Sequence, residues 1–529
     1  MFFTSYQFVL FILILMLLYY TLPKKYQWIL LLIGSYIFYA FSGIDNLIYF
    51  ITTTVSTYIA SMKLKKLKEE QKSYLKDNKE TLSRQDKKEY KNRMKKRQWN
   101  ILLVCLLFNF GILAAVKYTN FMIGNINGII GIFNGQPLSF INIALPLGIS
   151  FYTFQTMGYI IDVYRGTCSV QENIFKLALF TSFFPQLIQG PISRYNDLSE
   201  TLYKEHDFNL RNINFGLQRV LWGYFKKLVI ADRLLVAVNT LIGDPTAYDG
   251  IFVVVGMIYY GIELYADFTG GIDITIGIAQ MLGVRLKENF DRPYFSRDIA
   301  EYWRRWHITM GTWFKDYIFY PLSVNPRMLK FSGWSRKHLG NGFGKRFPVY
   351  VSSFIVWFAT GIWHGASWNF IVWGLMNAVV ICLSEECRPF YDWFHSKFDV
   401  KEKQWFQCFQ IIRTFFLMSS LRTLDCYRNV PLTFSMFFSI FTKWNISELF
   451  DGALMNLGLS LLDYMIIIIG VLLMLAVSLL KGKGSIREML ERKPAIVTFG
   501  VYYVLIFAII LLGAYSIGYD SSQFIYNQF

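Results

Sequence analysis

Two histidines stand where an imidazole could do chemistry. His307 lies in EYWRRWHITMGTWFKDYIFYPL (residues 301–322) and His364 in FIVWFATGIWHGASWNFIVWG (residues 354–374). The second segment is apolar enough to lie in a bilayer, where an ionisable side chain is costly unless it is satisfied or used. Such a histidine either bonds a backbone carbonyl and packs, or it takes and returns protons. An imidazole with a pKa of about 6.5 can accept the proton of an attacking hydroxyl, a contribution of about 10²- to 10⁴-fold in rate. Two imidazoles permit a relay. Asn369, indole N–H groups or backbone N–H groups could hold the oxyanion of a tetrahedral intermediate. These parts suit acyl transfer from a thioester, which is already activated. The sequence has no Walker A motif, no G-x-S-x-G and no H-E-x-x-H. That argues against an ATP-driven pump, an α/β-hydrolase and a metalloprotease.

The elements around the histidines must be membrane helices. Hydrophobic residues make up 54% of the 529 and aromatic residues 18%. Apolar runs of about 20 residues, enough to cross a bilayer, recur along the chain. They are continuous rather than alternating, which disfavours a β-barrel. The predicted class is an all-α polytopic membrane protein. The net charge of +17 is explained by cations crowding cytoplasmic loops, not by nucleic acid. Cys105, Cys168, Cys382, Cys387, Cys408 and Cys426 are scattered without C-x-x-C pairs or nearby histidines. Neither a disulfide framework nor a metal site is expected.

Residues 2–22, 28–41 and 47–60 read as three spans. Lys24 and Lys25 mark the inner end of the first, so the N-terminus is expected outside. With no cationic stretch ahead of it, the first run is expected to be a span rather than a cleaved signal. Residues 61–98 form a basic insertion without Gly or Pro, read as a cytoplasmic helical hairpin or as an arm for lipid headgroups or a partner. Residues 99–116 cross outward. LPLGISFYTFQTMGYIIDVYRG (145–166) and FFPQLIQGPISRY (183–195) are broken apolar pieces, tolerated only where protein or a wet cavity covers the backbone. Residues 215–241 read as one long helix. The next span, 251–268, carries Glu263 and Asp267 on one face, with Asp273 just beyond. These carboxylates either line a polar cavity or pair with nearby arginines. Residues 306–322 are too polar to cross and should dip and return. Residues 349–363 cross from the basic face, which puts His364 about 22 Å beyond it. Further spans are expected at 368–383, 459–480 and 495–515, with moderate helices at 409–421 and 432–441. The basic stretch 481–493 is expected inside, and so the tail 516–529 outside.

The run LYADFTGGIDITIGIAQMLGVRLKENFDRPYFSRDIAEYWRRWHITMGTWFKDYIFYPL (264–322) resembles the signature of the membrane-bound O-acyltransferases, and most closely the bacterial alginate, peptidoglycan and polysaccharide O-acetyltransferase branch. LPLGISFYTFQTMGYIIDVYRG, FFPQLIQGPISRY and GIWHGASWNFIVWG match that branch in the same order. The resemblance implies one membrane domain over residues 1–529 with a catalytic core at 264–374. It also implies eleven or more transmembrane helices, plus re-entrant and amphipathic ones, around a central tunnel. It makes His364 the catalytic histidine and His307 the second active-site residue. Trp303, Arg304, Arg305 and Trp306 are expected at the donor end, where coenzyme A phosphates need cations. Asp267, Asn369 and Asp316 are expected in support.

The implied reaction takes an acetyl group from cytoplasmic acetyl-CoA, a substrate rather than a bound cofactor, towards a surface polysaccharide. The implied setting is the bacterial cytoplasmic membrane. An extracytoplasmic SGNH-hydrolase-like acetyltransferase is the implied partner, alongside membrane lipid. D-alanyl transfer to teichoic acid from a carrier-protein thioester is the close alternative; the 61–98 insertion and the long region after Cys387 favour acetyl transfer. A non-enzymatic transporter or scaffold for a secreted transferase is the other alternative; a transporter should show paired broken helices in two halves, and no such repeat is visible. The tail SSQFIYNQF (521–529) resembles the C-terminal motif of surface-polymer acylation systems, in which Tyr526 would carry the acyl group. Asn527 departs from that motif, and an aromatic anchor at the interface is the other reading of the tail.

Overall fold

The computed structural model describes residues 3–143, 145–443 and 445–515. Regular structure among them is helical, and extended backbone pairs only at an isolated antiparallel bridge between Phe290 and Trp306. Among the described residues, five helices are long and apolar enough to cross a bilayer: Arg84–Ile132, Ile251–Met281, Trp368–Glu386, Leu461–Lys481 and Ala495–Leu512. The described chain forms two compact units, Met1–Ile213 with Ala279–Leu286, and Asn214–Ile278 with Lys287–Phe529.

The first unit contains α1 (Tyr6–Thr21), α2 (Gln27–Ala40), α3 (Leu47–Asp77), α4 (Arg84–Ile132) and α5 (Ile149–Arg165), then the short α6 (Ile174–Ser182), α7 (Phe184–Leu187) and α8 (Tyr195–Leu202). Helices α3, α4 and α5 pack on one another. The expected spans at 2–22 and 28–41 are helices of 16 and 14 residues, about 24 and 21 Å long against a hydrocarbon core of about 30 Å. The basic insertion is a helical hairpin made by the end of α3 and the start of α4. Ser83 and Asp86 form a capping box at its second arm, satisfying two orphan N–H groups. Tyr74 and Tyr90 stack across the arms at 4.1 Å.

Helix α4 does not stop near Val116; it runs unbroken to Ile132. Its polar interruptions point to a loop instead. The Asn120 amide exchanges hydrogen bonds of 2.8 and 2.9 Å with the backbone of Ile141. Asn127 does the same with Leu138, at 2.9 and 2.7 Å. The two asparagines are seven residues apart, on one helix face, and each amide substitutes for a missing β-partner. The expected break at 145–166 is confined to the turn before α5, which is continuous and mostly buried. Residues 188–194 stay irregular and almost wholly buried, as non-helical backbone in a membrane protein requires.

The second unit begins within α9 (Leu210–Tyr224), which passes through a π turn (Phe225–Ala231) into α10 (Asp232–Gly243); α11 (Ile251–Met281) packs alongside. The π turn brings Lys226 and Lys227 towards the carboxylates of α11. Lys227 Nζ lies 2.7 Å from both Asp267 and Asp232. Lys226 Nζ lies 2.6 Å from Asp273, which Arg219 also meets at 2.8 Å. Asp267 and Asp273 are thus paired, and lysines of the π turn supply more of the pairing than arginines do.

Residues 306–322 form no crossing helix. They lie in the short α13 (Ile308–Phe314), a second π turn (Lys315–Phe319) and α14 (Tyr320–Ser323), following α12 (Ile299–Arg305). Next come α15 (Pro326–Leu339), α16 (Phe343–His364), α17 (Trp368–Glu386), α18 (Arg388–Lys397), α19 (Gln404–Tyr427) and α20 (Val430–Thr442). The last helices among the described residues are α21 (Leu461–Lys481), α22 (Ile486–Glu491) and α23 (Ala495–Leu512).

Candidate active site

His307 owes its place to two short extended stretches. The Phe290–Trp306 bridge is flanked by Asp291 N–H donating to Arg305 O and by Ile308 N–H donating to Asn289 O, each at 3.0 Å. The clamp forces His307 to φ +48°, the left-handed region. That conformation costs a non-glycine residue about 1–3 kcal/mol and concentrates at functional sites. The side chain is 1% exposed. Its Nδ1 lies 3.3 Å from Asn289 Oδ1. The backbone N–H of Thr309 also donates to Asn289 Oδ1, at 3.0 Å, and so does the Thr309 hydroxyl, at 2.9 Å. A backbone N–H can only donate, so this atom is the amide oxygen. Nδ1 must therefore carry the proton, which leaves Nε2 of neutral His307 with its lone pair.

His364 is the last residue of α16 and is 7% exposed. Helices α16 and α17 cross closely because Gly361 and Gly374 face the opposite backbone. A Cβ on Gly361 would lie 2.5 Å from Phe370 O, and one on Gly374 would collide with Trp357 O. Small residues are what allow helix backbones to approach in a membrane protein. The crossing sets His364 edge-on to Trp373 at 4.7 Å and to Trp363 at 5.1 Å. Trp363 meets the His307 ring at 5.8 Å. One indole therefore touches both imidazoles. Phe268 closes on His307 from α11 at 5.0 Å.

A buried cation ties these aromatic groups together. The Arg422 guanidinium of α19 sits 4.8 Å from the Trp373 ring, 5.2 Å from Trp306 and 5.7 Å from Trp303. Asp425 balances it at 2.8 Å. Desolvated cation–π contacts contribute about 2 kcal/mol or more each. Trp303 donates its indole N–H to Asn377 Oδ1 at 3.2 Å, and Asn369 donates to Leu424 O at 3.2 Å, which links α17 to α19.

The structure thus gathers His307, His364, Trp303, Trp306 and Asn369 into one region, while Arg304, Arg305, Asp267 and Asp316 have other settings. Trp303 and Trp306 face Arg422. Arg305 is engaged by Glu301 at 2.6 Å, and Arg304 is exposed. Asp267 serves Lys227, and Asp316 is half-buried in the second π turn. Tyr526 and the tail from residue 516 lie outside the described residues. Sequence reasoning missed Arg422, Asn289 and the role of Trp363. For Arg422 the available signal was an Arg–x–x–Asp pair inside an otherwise apolar helix.

A family model for the membrane-bound O-acyltransferase family matches residues 168–333. The chain is similar to "Probable alginate O-acetylase AlgI" of Azotobacter vinelandii, with 31% identity over 85% of this chain and 80% of the relative. The protein of the same name in Pseudomonas aeruginosa is 33% identical over 69% of this chain and 62% of the relative. The "Peptidoglycan O-acetyltransferase" of Helicobacter pylori is 32% identical over 54% of this chain and 55% of the relative.

Proposed function

We propose that this chain, which belongs to the membrane-bound O-acyltransferase family and is a multi-pass membrane acyltransferase, moves an acetyl group from cytoplasmic acetyl-CoA for O-acetylation of a surface or secreted polysaccharide. The reading rests on one observation above the rest: two buried imidazoles touch the same indole, Trp363. The names of the relatives support acetyl as the group and polysaccharide as the final acceptor.

In this reading the acceptor hydroxyl gives its proton to His364 as its oxygen attacks the thioester carbonyl. The C–O bond forms, the C–S bond breaks, and the proton returns to the departing thiolate. His307, with its Nδ1 proton held by Asn289, offers Nε2 to the donor end of the relay. Asn369 and the indole N–H groups are the candidate donors to the oxyanion. Arg304 and Arg305 meet the donor's phosphates at the cytoplasmic mouth of a tunnel lined by about eleven crossing helices. Both termini lie outside the bacterial cytoplasmic membrane. There Tyr526 is the first acceptor, and an SGNH-hydrolase-like partner passes the acetyl group to the polymer.

Labelled acetate incorporation into envelope polymers tests the reading. Cells with wild-type protein should incorporate label, and cells with inserted His364→Ala should not. Equal labelling in cells lacking the protein would overturn it.

A further inference from the structure

Beneath the face of α11 that carries Asp273 lies a cavity of about 800 Å³, bounded by α9, α11, α21, α22 and α23. Its two walls differ. On one side α23 presents Val497, Gly500, Val501, Val504 and Leu505 to the cavity. Their spacing of i, i+3, i+4, i+7 and i+8 makes a single helical stripe. Leu505 and Val501 also pack against the core of this unit while Val497 and Val504 are exposed, so the stripe borders the cavity at the edge of packed protein. The outer end of α23 is tethered, with Arg233 donating to Leu512 O at 2.8 Å and Ala514 N–H to Leu228 O at 2.9 Å. Helix α23 is therefore pinned at its outer end, and midway its Tyr502 bonds Asn214 and Gln218 of α9 beside the cavity.

The opposite wall is charged. Arg219, Lys226, Arg292, Lys481 and Arg487 line it, against Asp273 and Glu288. Both carboxylates are already engaged by Arg219 and Lys226: Arg219 reaches Glu288 at 2.6 Å and Asp273 at 2.8 Å, and Lys226 reaches Asp273 at 2.6 Å. The lining set carries a net positive charge, and Lys481 and Arg487 belong to the stretch 481–493, the face expected to be cytoplasmic.

An aliphatic stripe opposite a cationic rim fits an anionic amphiphile. We propose that this cavity binds an anionic phospholipid of the cytoplasmic leaflet. The phosphate sits among Lys481, Arg487 and Arg292, and an acyl chain runs along Val501 and Val504 and fills the gap beneath α23. An unfilled apolar wall forfeits its dispersion contacts. A bilayer supplies acyl chains at the open side. The nucleotide head of coenzyme A shares the phosphate chemistry but offers nothing to the valine stripe.

The test is native mass spectrometry of the full-length protein released from phosphatidylcholine nanodiscs made with or without phosphatidylglycerol. The wild-type protein should retain phosphatidylglycerol in preference to phosphatidylcholine. Lys481→Glu and Arg487→Glu should each lower that retention about fivefold, the equivalent of one basic contact. Val501→Trp, which fills the stripe and leaves the rim alone, should lower retention of both lipids. Equal retention of the two lipids by wild type would overturn the proposal. So would coenzyme A binding that Lys481→Glu abolishes while phosphatidylglycerol retention is unchanged.

Discussion

The Arg422 guanidinium lies 4.8 Å from the Trp373 ring, which also meets the His364 imidazole at 4.7 Å. A charge in α19 therefore holds the indole against which the candidate catalytic base rests. Arg422→Lys keeps the charge for Asp425 but loses the flat group that lies against three indoles. The expected result is an inserted protein with kcat down about tenfold, equivalent to about 1.4 kcal/mol, and little change in KM for the donor. Steady-state transfer assays would read it. Wild-type kcat in that variant would remove Arg422 from the positioning of His364.

Asn289 fixes which nitrogen of His307 bears the proton. Asn289→Ala should free the ring and scramble that choice, and the expected loss of about 10²-fold in turnover is at the lower end for a general base. Thr309→Val removes one of the hydrogen bonds to Asn289 and keeps its amide in place, so its effect should be smaller. Comparing turnover of the two variants tests the order; a larger loss for Thr309→Val would contradict it.

Lys227 holds Asp232 and Asp267 in a buried trio. Lys227→Met should destabilise the protein by about 3–5 kcal/mol, because it leaves two carboxylates without their cation. Adding Asp267→Asn should recover part of that loss. Thermal unfolding in detergent distinguishes the outcomes, and a melting temperature unmoved by Lys227→Met would show that the trio does not support the fold.

At the α16–α17 crossing, one added methyl should matter. Gly361→Ala overpacks the contact with Phe370, at a cost of about 1–3 kcal/mol, and displaces the end of α16 on which His364 sits. Both melting temperature and turnover should fall. Gly111→Ala is the control, because a Cβ there meets nothing within 4 Å.

Much of this arrangement could be read from residue order, and the misreadings share a cause. The apolar runs of α16, α17, α21 and α23 were visible because their side chains meet lipid or each other. From the sequence, helix α19 reads as ending at Leu421 because the next residue is charged. It continues to Tyr427 because Arg422 finds Asp425 and three indoles inside the protein. Helix α4 reads as ending at Val116 because the asparagines beyond it look like exits until their partners at 138–141 are seen. The two histidines stood out from their surroundings. Asn289 did not, because its role depends on a two-residue bridge and a left-handed backbone angle that no local pattern announces. The π turn at Phe225–Ala231 was invisible too; it is one extra residue in a helix, and only the carboxylates facing it reveal why it is there.

Helix α4 has a mechanical meaning. Its 49 residues make a rod of about 74 Å, more than twice the thickness of the hydrocarbon it crosses. A stiff rod held near its middle by a bilayer is a lever with the membrane as fulcrum. Its basic arm, where Ser83 caps the helix, and its far end are parts of one continuous helix packed on α3 and α5. The loop hung from Asn120 and Asn127 must travel with that end, because four hydrogen bonds join it to the rod.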